Sequence, residues 1–564
     1  MCGAAAILSY TSSNPKGKLC AMLDWTKPCF SHSPASHTFF QHNEFALGAN
    51  QKDDLATSGD GSICVVFSGK LFQKQDISRT DAQTVLNLYQ AHGKNCFEQL
   101  DGQFALFVFD KRNNELYAAR DKMGLCPLYW YQDNHVAIGA TSIKALLATG
   151  FISPTPDNAS LAAYFSQGYI SQDSTGIQNV NQLLPGYYLK ASMNQKVHVC
   201  SFWSFSSSFS HKERIGTDFS EEIYSEIRQK VDNAVYNTAK LTKNLCQTAP
   251  TEIGSFILNQ TIPYEKRAAK LHIAYSKEFT GDKNSITAQD FLQSLVPVVW
   301  AQESPIANFD SIRQYAIIKR CQEENWAYFL DSGFVEEFDN YSTKASFTTP
   351  FYPPSKLTKL LYSLFPLYGC KKLKRSMQPA SQVAFLEQRS LMNHAECKKA
   401  APNLYNLFDT SIFIQQFYNL KRIPTVNASL FYLSMKSYVT DYVTASRMRL
   451  AQNFDIECFS PFLDTKLLQF FASLHPEIWA SPDILTTFPA EWLHKEQATL
   501  FAMHLPLQPA LPLTWLNTKE ITLLFNTLQK GVLVASGYVS AKWLRQLPKQ
   551  KPADFLQKLY AIAI

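Results

Sequence analysis

The sequence predicts two units: an α+β sandwich of two stacked antiparallel sheets with helices outside, followed by a helix-rich α/β unit. Three observations predict this. The 564 residues exceed what a single hydrophobic core organises. Short apolar runs of strand character crowd the first 150 residues. From Phe219 to Leu241 the apolar residues Ile223, Ile227, Val231 and Val235 recur at helical spacing instead. The expected division is 2–200 and 201–564.

Residues 3–9 are small and apolar, as a buried first strand would be, and they hold residue 2 at a strand end inside the fold. Residues 26–44 are loop-like and carry Cys29, His32, His37 and His42. Their sulfur and nitrogen atoms are zinc-ligand types, but the spacing matches no common structural site, and surface histidines are the alternative. Residues 62–71 are expected as a strand entering Ser68-Gly69, and 81–91 as a helix with apolar Val85, Leu86 and Leu88, capped by Thr80. Residues 104–109 and 116–119 form a hairpin around the polar turn 111–114. A helix at 160–170, an extended loop, and a short hairpin turning at Pro185-Gly186 complete the passage toward the second unit.

Composition excludes several classes of function. A formal charge of +6 is small for this length and makes no case for nucleic acid, and the basic run 371–375 is expected as a solvated loop. No run reaches the ~18 apolar residues that a membrane helix needs. The 12 cysteines are scattered without a C-x-x-C pair, which points to thiols in a reducing compartment rather than a disulfide frame. A cytoplasmic protein is expected.

One residue stands out for chemistry. After removal of the initiator Met1, Cys2 carries both a thiol and a free α-amine. These titrate near ~8.5 and ~8, so the amine is a general base for the thiol nucleophile at neutral pH.

The runs 1–3, 100–110, 119–129 and 143–147, in that order and spacing, resemble the glutaminase domain of glutamine-hydrolysing asparagine synthetases. These are class II glutamine amidotransferases. The resemblance implies an N-terminal-nucleophile αββα sandwich in which Cys2 attacks a glutamine side-chain amide, forms a thioester and releases ammonia. It further implies an oxyanion hole at Ser68 and the Gly69 amide, where the family's asparagine is replaced by the shorter Ser68. Asp81 matches the aspartate that holds the substrate α-ammonium. Lys70 stands where the family has a glutamate, and either lowers the thiol pKa or points into solvent. Gln51 aligns with the arginine that clamps the substrate carboxylate. Arg120-Asp121 are expected to maintain the fold.

The second unit resembles the family's synthetase domain, implying a divergent adenine-nucleotide-hydrolase-like (PP-loop) fold. The phosphate-loop stretch 254–264 has no glycine after Gly254 and places Pro263 where an amide donor is useful, so no ATP-binding residue is retained there. Glu336 and Glu337 preserve two carboxylates suited to magnesium, with a solvated helix face as the alternative. Ser460-Pro-Phe-Leu-Asp464 resembles a family segment, with Asp464 as a cap or brace. Arg447 and Arg449 are candidates for the family's upstream basic residue or for helix-surface roles. ATP and magnesium are implied only if this unit is active.

The expectation is therefore an amidotransferase or amidohydrolase acting on glutamine or another small carboxamide, with a worn synthetase half. Two rivals stand beside it: a non-catalytic partner or scaffold of an intact synthetase subunit or of its own copies, and ammonia channelling to an unusual acceptor.

Overall fold

The computed structural model describes residues 3–11, 14–26, 37–73, 78–170, 173–210, 221–239, 245–248, 258, 261–262, 269–271, 274–275, 285–331, 390–407, 423, 426–474 and 518–563. Cys2, Cys29, His32, Glu336 and Glu337 lie outside them.

The first unit contains twelve strands: β1 (Ala4–Ser9), β2 (Thr38–His42), β3 (Phe45–Ala49), β4 (Leu55–Thr57), β5 (Ile63–Leu71), β6 (Gly102–Asp110), β7 (Glu115–Arg120), β8 (Tyr129–Gln132), β9 (Val136–Ala140), β10 (Asn181–Gln182), β11 (Tyr187–Ser192) and β12 (His198–Ser201). They form two six-stranded sheets, ordered β10-β8-β9-β1-β3-β2 and β12-β11-β7-β6-β5-β4. The side-chain alternation of each strand explains why four layers result. Ala4, Ala6 and Leu8 of β1 face the inter-sheet core, while Ala5 and Ile7 face Leu19, Met22 and Leu23 of the helix Pro15–Trp25. In β5, Val66 points inward, whereas Ile63, Val65 and Phe67 pack against Val85, Leu86 and Tyr89 of the helix Asp81–His92. That helix begins with a capping box between Thr80 and Gln83. Each large apolar side chain so buried stabilises the fold by roughly 1.5–3 kcal/mol.

Arg120 and Asp121 act on backbone rather than mainly on one another. The Arg120 guanidinium donates to the carbonyls of Cys126 (2.7 Å), Leu183 (2.7 Å) and Gly124 (2.6 Å). Asp121 accepts from the amides of Phe104, Met123, Leu125 and Cys126. The pair thereby shapes the turn that leads into β8.

The second unit adds β13 (Leu245–Thr248), β14 (Ala269–Leu271), β15 (Ala274–Tyr275), β16 (Ser285–Ile286), β17 (Tyr328–Leu330) and β18 (Glu457–Phe459). A parallel four-stranded sheet has the order β14-β13-β17-β18. Helices dominate the rest. The helix Val426–Leu433 continues through π-helical turns over Ser434–Thr444 into Ala445–Asn453. The two units share one apolar core, in which Tyr169 packs against Tyr438 and Tyr442. Polar bonds cross the same seam: Gln103 Nε2 donates to the Cys458 carbonyl (2.8 Å), and Glu303 accepts from Ser142 Oγ and the Ile143 amide (2.6 Å each).

Candidate functional site

The site is built around the start of β1, the strand flanked by β3 and β9. Gly3 sits at its head. A side chain at Gly3 would overlap Thr26, so only glycine fits beneath this threonine. The Gly3 carbonyl accepts from the Asn50 amide (3.1 Å), and Asn50 Nδ2 donates to Thr26 Oγ1 (3.0 Å). Thr26 Oγ1 donates in turn to the Leu23 carbonyl (2.9 Å). Asn50 Oδ1 is a buried acceptor that no donor among the described residues reaches. An unsatisfied buried carbonyl costs roughly 1–3 kcal/mol, so an orphan beside a strand head marks a place where a donor belongs.

Ser68 and Gly69 lie in β5, opposite Ala105 and Phe104 of β6. Ser68 is buried, on the same strand face as inward-pointing Val66. Gly69 has φ +127°, a region that side chains avoid, and a Cβ there would overlap the Gln103 carbonyl. This close approach of two backbones explains why the position carries glycine. Lys70 is half-buried at the unit seam. It lies near Tyr328 of β17, whose phenol is pushed up mainly by burial and drawn back by the Lys70 charge.

The short turn Lys52–Asp54 contacts both β5 and the helix Asp81–His92, gathering these segments at one end of the sandwich. Asp81 is the first residue of that helix and has one carboxylate oxygen buried. Gln51 is exposed; its neighbour Asn50 is the residue that turns inward against Thr26. Sequence reasoning missed Asn50 and Thr26, although the requirement for Gly3 beside a possible nucleophile was a signal that something packs there.

His37 and His42, the described histidines of 26–44, do not converge. His37 pairs with Asp24 (3.4 Å), while His42 lies against the Phe109 ring (5.9 Å). They flank the two ends of β2, about 16 Å apart at the rise of a strand, too far to share one zinc ion. Among the described residues no cluster of three or more His, Cys, Asp or Glu side chains is arranged to hold a metal.

In open parallel sheets ligands bind beyond the carboxyl ends of the strands. In the second unit that edge is occupied by charges that already neutralise one another. Asp331, directly after β17, is held by Arg447 Nη1 and accepts from Ser460 Oγ (2.8 Å). Arg447 Nη2 also reaches Asp310 (3.2 Å), which accepts from Arg313 Nε (2.6 Å) and Gln314 Nε2 (3.0 Å). Burial alone would raise the Asp310 carboxyl, but the Arg313 and Arg447 charges and the hydrogen bonds from Arg313 and Gln314 outweigh it and hold the group well below the usual carboxylate range. Both carboxylates are thus engaged by arginine. Arg449 is likewise engaged, donating to the Gln302 carbonyl (2.7 Å) and lying over the Tyr129 ring (5.7 Å). Both arginines are therefore buried connectors rather than helix-surface groups. Asp464 caps the helix Thr465–Ser473 through the amides of Lys466 and Leu467.

Comparison with known proteins finds similarity over parts of the chain. A family described as "Glutamine amidotransferase domain" matches residues 59–203. Asparagine synthetase [glutamine-hydrolyzing] 3 of Bacillus subtilis is 24% identical over 216 residues, 35% of this chain and 34% of that protein. Amidase chyE of Penicillium rubens is 28% identical over 202 residues, 32% of this chain and 29% of its own length. A longer match, to asparagine synthetase [glutamine-hydrolyzing] 1 of B. subtilis, is 19% identical over 307 residues, 50% of this chain and 48% of that one. The chain thus spans about a third of the length of the first two relatives. No described helix is long and apolar enough to cross a membrane. The four-layered first unit and these matches make the chain a distant relative of the glutamine amidotransferases and glutamine-hydrolysing asparagine synthetases.

Proposed function

We propose that the first unit is an N-terminal-nucleophile amidohydrolase of class II glutamine amidotransferase type, acting on glutamine or another small primary carboxamide. The observation that carries this reading is the head of β1, where Gly3 is wedged under Thr26 and bonded to Asn50. A strand head fixed in this way supports residue 2 as a positioned terminal nucleophile.

In the reaction, the Cys2 α-amine takes the thiol proton through a water, and the thiolate attacks the amide carbon. The Gly69 amide and Ser68 stabilise the resulting oxyanion. The α-ammonium returns the proton to the leaving nitrogen, ammonia departs, and a thioester remains. Water attacks the thioester, a carboxylate leaves, and the thiol is restored. The orphan Asn50 carbonyl is an acceptor for an ammonium, either that of Cys2 or that of the substrate. Asp81 is the second candidate for the substrate α-ammonium, with Lys70 and Gln51 completing the substrate contacts. Glu336 and Glu337 remain magnesium candidates only if the second unit binds a nucleotide; its self-neutralised sheet edge supports a structural role, and no ATP-dependent step is assigned. The two units are proposed to divide near residue 200, in a cytoplasmic protein.

The test is ammonia release from glutamine and from asparagine by the methionine-processed protein, with intact-mass detection of an acyl adduct on Cys2. Release that disappears in Cys2→Ser supports the proposal. Neither release nor adduct would overturn it for these substrates and favour a non-catalytic partner protein.

A further inference from the structure

A cleft of about 800 Å³ opens in the first unit, formed by the end of β1, the β8–β9 turn, the 174–181 segment and the β11–β12 turn. It lies at the opposite end of β1 from Gly3: Tyr10, which lines it, follows the strand's last residue. At strand rise this separates the cleft from the strand head by about 20 Å.

Its floor is fixed by Gln132, which donates to Tyr10 Oη (2.7 Å) and to the Gln195 carbonyl (2.6 Å) and accepts from the Val197 amide (2.7 Å). Both lining carboxylates serve the backbone. Asp133 accepts from the amides of His135 (2.7 Å) and Val136 (2.9 Å), and Asp157 from that of Ser160 (3.0 Å) as a helix cap. The walls are instead rich in neutral carboxamides, including Asn134, Gln178, Asn181, Asn194 and Gln195. Trp130 and Tyr10, both half-buried, supply aromatic surface, and a single cation, Lys196, stands among the lining residues.

This chemistry selects against strongly charged ligands and favours one that both donates and accepts hydrogen bonds at many points while presenting an apolar face to a ring. We propose that the cleft is a binding site for a neutral polyhydroxylated ligand, a short saccharide, separate from the amide-hydrolysing site. Hydroxyl groups match carboxamides in both senses, and the C–H face of a sugar ring covers an aromatic one. The volume lies within the ~300–1,000 Å³ range of ligand pockets.

Titration calorimetry of the full chain with maltotriose, cellotriose and N,N′,N″-triacetylchitotriose tests this. At least one is expected to bind, and Trp130→Ala to weaken it by about ten-fold. Because Trp130 also packs on the core, two gentler variants accompany it. Asn134→Ala alters an exposed turn, and Asn194→Gly keeps a left-handed backbone (φ 55°) while removing the carboxamide. Each is expected to weaken binding at least three-fold with melting temperature unchanged. Cys2→Ser is expected to leave binding intact, so the failure of either proposal is separable from that of the other. No heat with any of the three saccharides, binding unchanged in both gentle variants, or binding of an extended uncharged heptapeptide in place of the sugars would overturn the assignment.

Discussion

The two ends of this chain treat charge and backbone in opposite ways. At the head of β1 no donor among the described residues reaches the buried carbonyl Asn50 Oδ1, and the Thr26 side chain leaves no room for one at Gly3; in β5 the Gln103 backbone leaves none at Gly69. At the carboxyl edge of the parallel sheet the described charges are paired instead: Asp310 with Arg313 and Arg447, and Asp331 with Arg447. An orphaned group is costly and persists where something is to be bound, whereas a closed ion network gives cohesion and no vacancy for a ligand. If the proposed function holds, the contrast teaches that a two-unit plan can survive with its chemistry confined to one unit.

The largest effect that sharpens this contrast is in the first unit. Cys2→Ala is expected to lower amide hydrolysis by about 10³-fold or more while leaving the melting temperature within about 1 °C, measured by ammonia release and differential scanning calorimetry. Retained activity would break the assignment of chemistry to this end.

Next is Arg447→Leu, which removes the cation shared by Asp331 and Asp310 and is expected to cost about 3–5 kcal/mol in urea unfolding with kcat for amide hydrolysis little changed in the folded fraction. The same network makes acid stability specific. The Asp310 carboxyl is depressed in the folded state, so its contribution is complete above the unfolded value near ~4 and is lost as pH falls below it. Asp310→Asn is expected to flatten the acid limb of a stability–pH curve below about pH 4; an unchanged limb would mean the pair does not stabilise the fold.

Thr26→Val is a smaller change at the other end. It removes the acceptor for Asn50 Nδ2 and the donor to Leu23, and is expected to cost about 1–3 kcal/mol and to slow amide hydrolysis, because the strand head loosens. Stability lost with kinetics untouched would separate this cluster from the site. The smallest expected effect is that of magnesium–ATP at 1 mM, which is expected to shift the melting temperature by less than about 1 °C. A larger shift would reinstate nucleotide binding in the second unit.

Much of the first unit was legible because its elements carry local signals. Apolar runs marked β5 and the β6–β7 hairpin, and Thr80 marked the start of the helix at Asp81. The helix Pro15–Trp25 escaped notice because its apolar stripe is weak, although Asn14 followed by Pro15 was a usable start signal. Asn50 was passed over for Gln51 because the two are adjacent in a polar run. Only the tertiary contact with Thr26 decides which of them turns inward. The network at the sheet edge was not legible at all: Arg447 lies 137 residues from Asp310 and 116 from Asp331, and no local pattern links them. The π-helical turns at 434–444 likewise have no periodic signature separating them from an ordinary helix.

The shared core carries a consequence for how such a chain changes over generations. Tyr169 of the first unit rests on Tyr438 and Tyr442, and Tyr164 Oη donates to the Ala561 carbonyl near the far end of the sequence (2.6 Å). Deleting the second unit would therefore bare an aromatic wall and remove a buried acceptor, a loss felt by the first unit whatever the second one catalyses. Under the proposed function, drift in the second unit is filtered by shape and burial, so its catalytic signature can disappear while its aromatic residues along the seam stay under constraint.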